Sequence, residues 1–366
     1  MKYLGAALAA LTLTSSTALA GGIDRSALPY AILFEDGRVG QLSFSNVNPT
    51  VSGAYAAPFS AFGASTKDMA QSYTTLSFGF KADITDKLAY AIMANTPYGA
   101  DSKYSGGLYT GLEAHWSSRQ VAALLKYQFT DRISAYGGVR YVTSQANIII
   151  PPALLGGVTY TATAASDSKL GYVIGAAYEI PAIALRAGLT YESAINHQFA
   201  TAERFNGGPA INSTTKITLP QSVAFDFQTG IAKDTLLFGS VKWSEWSKWQ
   251  VKPLAYSGLP APAGGRITGF DHNVTAYQLG IGRKINDSVS VFARLGYEQA
   301  NGGVASRLSP TDGMQSIGIG GSWSHDKMKL TGGVEYVKLG NAVDSLGTQF
   351  TGNHALGLGL SVAFNF

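Results

Sequence analysis

Along this chain large apolar residues recur at every second position, most clearly at its end. There Leu356, Leu358, Leu360, Val362, Phe364 and Phe366 alternate with Gly357, Gly359, Ser361, Ala363 and Asn365. A period of two puts one set on each face of a strand, so the pattern predicts a strand with one apolar face and one small or polar face. Fourteen alternating segments can be read, near 38–50, 71–82, 87–97, 113–130, 132–145, 169–180, 183–198, 214–230, 234–248, 271–285, 288–300, 314–324, 327–340 and 353–366. Their connections alternate in length. Six are tight and polar, at 85–87, 130–132, 180–182, 233–235, 286–288 and 325–327. Asp and Asn in such turns bond to their own backbone and Pro presets φ. The connections between them are long.

Short turns on one side and long loops on the other are the signature of a transmembrane barrel. The expectation is an all-β fold, an antiparallel barrel of about fourteen strands. In 132–145, Ile133, Ala135, Val139 and Tyr141 should face lipid, with Arg132, Ser134, Gly138 and Arg140 inward. In 183–198, Ile183, Leu185, Leu189 and Tyr191 should face out, with Arg186, Thr190 and Glu192 inward. In 288–300, Val289, Val291, Leu295 and Tyr297 should face out, with Ser290, Arg294 and Glu298 inward. An Arg or Lys on the lipid face would cost roughly 2–4 kcal/mol near the midplane, which fixes these parities.

The first residues sharpen this picture. Lys2, the apolar stretch Leu4–Leu13 and Ala18-Leu19-Ala20 read as a secretory signal over residues 1–20, with the mature chain starting at Gly21. No later segment offers the uninterrupted apolar run of a membrane helix. Residues 21–37 lack alternation and read as an N-terminal arm, a short hatch inside the lumen, before a barrel over 38–366. The chain has no cysteine, so an exported fold must be held by its hydrogen-bonded wall. Charged residues are only 14%, too few for a water-exposed surface of this size. The net charge of +4, about +3 without Lys2, and the absence of a basic cluster argue against nucleic acid.

Several stretches resemble the FadL/TodX family of outer-membrane transporters for long-chain fatty acids and other hydrophobic compounds. They are AGGIDRS (20–26), AILFEDG (31–37), NTPYGADSKYSG (95–106), TLPQSV (218–223) and KWSEWSKW (242–249). The resemblance covers the mature chain and implies fourteen strands in a Gram-negative outer membrane. It also implies passive uptake of long-chain fatty acids or similar hydrophobic molecules, with an aromatic-hydrocarbon channel as the alternative; a general water-filled porin is a separate reading, against which the apolar loop 146–155 argues. The arm is shorter than a full-length hatch, and Asn48-Pro49-Thr50 falls in or just after the first strand. The arm is therefore expected to fill the lumen only in part.

Four sets of residues carry candidate chemistry. The apolar run Ile148, Ile149, Ile150, Leu154 and Leu155, in an expected loop 146–168, is a ligand-capture site, or else packs against neighbouring loops or dips into the outer leaflet. Pro97, Tyr98 and Gly99 mark either a lateral opening or the end of the third strand, because Pro removes a ladder donor and Gly weakens a strand. The inward Lys126, Arg140, Arg186 and Arg294 either receive a ligand carboxylate or pair with Glu192, Asp226, Glu298 and Glu335. Trp243, Trp246 and Trp249 read as an interfacial girdle. The glycines around Ile281 and Ile319 lie inside strands with no helix after them, so they hold no nucleotide. His115, His197 and His354 read as loop or rim residues. No metal spacing, cofactor motif or nucleophile–base set is visible, so no enzyme is expected. The expected partners are a hydrophobic small molecule, outer-membrane lipid and, through Phe366, the barrel-assembly machinery, with the protein a monomer.

Overall fold

A computed structural model describes residues 22–260 and 264–366, so the signal-peptide reading lies outside the described residues. Fourteen strands close into one antiparallel barrel. They are β1 (Val39–Thr50), β2 (Tyr73–Asp83), β3 (Leu88–Asn95, resumed at Gly99–Lys103), β4 (Glu113–Gln128) and β5 (Ile133–Ile150). Then come β6 (Tyr160–Ile180), β7 (Leu185–Glu192, resumed at Ile195–Phe205), β8 (Ile211–Leu219, resumed at Ser222–Ala232) and β9 (Thr235–Ser244). The last five are β10 (Val274–Lys284), β11 (Val289–Glu298), β12 (Met314–His325), β13 (Met328–Leu339) and β14 (His354–Asn365). Each strand pairs with the next, and β14 returns to β1 from Val39↔Asn365 to Thr50↔His354. Closure leaves no free sheet edge.

The faces follow the alternation. Leu42, Phe44, Leu76, Ile92, Val121 and Leu125 stand on the outer surface with many like them. On β5, β7 and β11, Val139, Leu189 and Leu295 are exposed while Arg140, Thr190 and Arg294 are buried inside. An apolar belt of this extent requires a solvent other than water.

Two of the expected elements need correction. The hairpin of β5 and β6 is much taller than expected, so loop 146–168 shrinks to residues 151–159. Above the belt the consecutive Ile148, Ile149 and Ile150 on β5 and the small or polar Thr161–Ser166 on β6 give no apolar alternation to read. Second, β3, β7 and β8 each break at one level, and the inward set changes parity across the break. On β7 Thr190 is buried below, while Ile195, His197 and Phe199 are buried above. On β8 the inward set is Ser222 below, then Thr215, Ile217 and Leu219 above, around Pro220. A one-residue slip turns every later side chain to the other face, so the ladder must be interrupted where it happens.

The long loops fold into a cap with a core of its own. Tyr55, Tyr104, Tyr109, Tyr160, Met69 and Phe350 are buried together. The Tyr109 hydroxyl lies 2.5 Å from Asp344 and 2.8 Å from Thr348. Burial, then the bond to Asp344, pushes that phenol well above its usual range, so Tyr109 remains a donor. Glu203, fully buried at the top of β7, accepts from the Ala255 and Tyr256 amides (3.0 and 2.9 Å), from the Tyr160 hydroxyl (2.9 Å) and from Ser213 (3.2 Å). Those amides open the one-turn helix α1 (Leu254–Ser257). Glu203→Ala should therefore loosen the loop above it, at about 1–3 kcal/mol for each donor left buried. Limited proteolysis would show it as new cleavage between 251 and 268 with the barrel intact.

Candidate functional site

The arm enters the lumen and seals the break in β3. β2 and β3 pair from Asp83↔Ala89 up to Phe78↔Ala94, and above that they part. Pro97 has no amide hydrogen to continue the ladder. Residues 23–26 fill the space. The Arg25 amide donates to the Pro97 carbonyl (2.8 Å), the Gly99 amide donates to the Ile23 carbonyl (2.8 Å), and Asp24 bridges Tyr98. Ser26 donates to the Thr96 carbonyl (2.8 Å), and the Asn95 side chain donates back to Ser26 (2.8 Å). Arg25 adds bonds to the Gly99 carbonyl (2.9 Å) and Asp101 (3.1 Å), with its guanidinium over the Tyr73 ring. Pro97 and Tyr98 are accordingly buried. Gly22 passes so close to the Trp246 ring that any Cβ there would overlap it.

Below this seal lies a polar cavity of about 250 Å³, lined by the arm and by Arg186, Glu192, Asp226, Lys242 and Arg294. Arg140 is wholly buried and bonds to Glu192 at 2.5 Å, Gln120 at 3.2 Å and the Ser193 carbonyl at 2.5 Å. Glu192 also accepts from the arm's Tyr30 hydroxyl (2.7 Å). Arg294 pairs with Glu335, and Lys242 with Asp24 at 3.1 Å. Lys126 stands 3.8 Å from Glu179, and Arg186 donates to the neutral Gln228 at 3.2 Å. Lys126 and Arg186 both lie over the Phe34 ring, at 4.3 and 4.6 Å. Phe34 thus separates the polar cavity from a third space of about 520 Å³ at the turn end, where Glu35, Lys81 and Asp83 gather.

Above the seal lies an apolar cavity of about 70 Å³. Its wall includes Ile23, Trp116, Ile148, Ile217, Trp249 and Leu308, and it contains no Lys or Arg. The five residues of the apolar run are distributed over the tip of this region. Ile148 lines the cavity, Ile149 faces outward, Ile150 belongs to the cap core, and Leu154 and Leu155 pack against that core. All three isoleucines belong to β5 rather than to a loop.

The tryptophan girdle is corrected for two of its three members. The chain turns inward after Ser244, and Trp246 and Trp249 are buried with Tyr98 and Trp116, with the half-buried Phe270 packed against them. His197 is also interior, bonded to Asp167 at 2.8 Å and stacked on Phe199. Asp24, which helps to build the seal, and Tyr30 and Phe34, which line the cavity below it, carry no periodic signal. Among the described residues no group of three or more His, Asp or Glu is placed to hold a metal.

The family profile of outer membrane protein transport proteins (OMPP1/FadL/TodX) matches residues 29–338. The chain belongs to this family. It is an outer-membrane barrel, its apolar belt faces lipid, and the FadL/TodX family carries hydrophobic compounds rather than catalysing a reaction. Solved structures share the fold at low identity. A FadL homologue of Pseudomonas aeruginosa is 14% identical, with a TM-score of 0.74 over 92% of each chain. The P. putida toluene transporter TodX is 13% identical, with a TM-score of 0.68 over 96% of this chain and 98% of its own. The Ralstonia pickettii toluene transporter TbuX is 12% identical, with a TM-score of 0.63 over 96% and 98%. No curated protein matches the chain by sequence.

Proposed function

We propose that this FadL/TodX barrel takes up long-chain fatty acids or similar hydrophobic molecules by diffusion, and releases them sideways through the break in β3. The observation that carries this reading is the seal at Thr96–Tyr98, which is made by the arm and not by the neighbouring strand β2. Bonds to an arm that is not part of the closed sheet can be withdrawn without opening the barrel ladder. A lateral exit suits an apolar cargo because lipid, not water, is its better solvent.

Capture begins at the rim around Ile148–Ile150, Leu154 and Leu155. The apolar cavity beneath accepts a chain or a ring, and the polar cavity below the seal offers cations to a carboxylate. Of Lys126, Arg140, Arg186 and Arg294, Arg186 is the first candidate for that head group, since its closest hydrogen-bond partner is a neutral amide. A second reading, an aromatic hydrocarbon, is favoured by the upper cavity, whose wall has Trp116 and Trp249 and no cation. The barrel acts as a monomer, with Phe366 exposed at the turn side for the assembly machinery.

Uptake by cells that lack their own transporter and express this chain tests the reading. Radiolabelled fatty acid and toluene should be run in parallel. Arg186→Ala should cut acid uptake by about tenfold, the scale of one charged hydrogen bond, and leave toluene unchanged. Removing residues 153–156 should lower both. Free passage of small hydrophilic solutes, with no uptake of either probe, would instead identify a porin.

A further inference from the structure

The wall has a second seam that its own ladder does not close, between β6 and β7. The two strands pair from Val173↔Glu192 down to Ile180↔Leu185, and again from Ala164↔Thr201 up to Tyr160↔Phe205. Between these runs, residues 165–172 face residues 193–200 without paired positions, although the register on both sides is the same. Both strands change parity here. Val173 is buried below and Ala162 above on β6, Thr190 below and Ile195 above on β7. The slip falls at 165–166 on β6 and at 193–194 on β7, one at each end of the gap, so the faces of the two strands are out of phase between them.

Side chains hold this seam where backbone would otherwise do so. The Asp167 carboxylate accepts the Gln198 amide at 3.1 Å and meets the His197 ring at 2.8 Å, and Lys169 lies 3.1 Å from it. The Ser193 hydroxyl accepts the Tyr172 amide at 2.9 Å, and the Ser193 amide donates to the Tyr172 carbonyl at 3.0 Å. Ile195 reaches across to Gly171, where a Cβ would collide with it. The lower lip carries the Tyr172–Tyr191 ring pair at the outer edge of the apolar belt, next to the highly exposed Leu170. The upper lip, Ala164 and Thr201, is wall of the apolar cavity.

We propose that the β6–β7 seam is a doorway through which neutral apolar molecules dissolved in the outer leaflet reach the upper cavity, with Asp167 as its latch. This rests on the hydrophobic-uptake reading above and adds a route of access that avoids the cap. An apolar compound partitions into lipid before it meets a loop, so a side door at belt height samples the larger pool. The latch is polar and short, and its loss leaves the Tyr172–Ser193 bonds, the Gly171–Ile195 contact and the Tyr172–Tyr191 ring pair to hold the seam.

The test uses the full chain, which has no cysteine, in cells exposed to the neutral fluorophore N-phenylnaphthylamine. The paired variant A165C/A200C places two thiols on exposed positions that face each other at the upper end of the gap, so its oxidised form ties the seam there and its reduced form is the control. Asp167→Ala releases the latch. Fluorophore uptake should fall several-fold on oxidation, recover on reduction, and rise in Asp167→Ala. Uptake that is normal in the intact chain and unmoved by both changes, with the cross-link complete on gels, would overturn the doorway alone. No uptake by the intact chain would overturn the transport reading and the doorway with it.

Discussion

Arg140→Ala should be the most damaging single substitution in the lumen. It leaves the Glu192 carboxylate beneath the arm with Tyr30 as its remaining hydrogen-bond partner, and unpairing a buried charge costs about 3–5 kcal/mol. It also frees the Ser193 carbonyl beside the β6–β7 seam. The expected result is a clear drop in the unfolding temperature of the detergent-purified barrel. The double variant Arg140→Ala, Glu192→Ala should recover part of the loss, because no uncompensated charge then remains. An unchanged unfolding temperature in Arg140→Ala would mean that lumen water already screens the pair.

Deletion of residues 22–26 should have the largest functional effect. It removes the main-chain bonds to Pro97 and Gly99, the Asp24–Lys242 pair and the contact with Trp246. The apolar and polar cavities would then join, with the β2–β3 parting exposed. In planar bilayers the intact chain should be nearly silent and the deletion should conduct steadily. A deletion as silent as the intact chain would show that Phe34, with Lys126 and Arg186 over its ring, closes the lumen unaided.

The wall was legible in the sequence because lipid and lumen impose opposite demands on alternate residues. That held for β1, β4, β9 and β14 to within a few residues. It failed for the upper halves of β5 and β6, where three consecutive isoleucines on β5 and small or polar residues on β6, as in Thr161–Ser166, leave no alternation. Pro97 announced the break in β3, since a missing donor is visible in the residue itself. The break between β6 and β7 was hidden because a parity slip needs no Pro or Gly. The candidate site was legible as residue types, not as partnerships. Arg140 could be placed inward, but its commitment to Glu192 and the Ser193 carbonyl joins segments far apart in the chain. Trp246 and Trp249 were misplaced because the strand ends at Ser244, and two residues of irregular chain suffice to turn a ring from outside to inside.

The central claim is that cargo leaves through the β3 break when the arm withdraws. Asp24 and Tyr98 are bridge partners, and the chain has no other thiol to confuse a cross-link. The variant D24C/Y98C, oxidised to tie the arm to β3, should lose hydrophobic uptake and regain it when reduced. Full uptake with the cross-link complete would contradict the account, because the cargo would then be passing while the lateral seal stays shut.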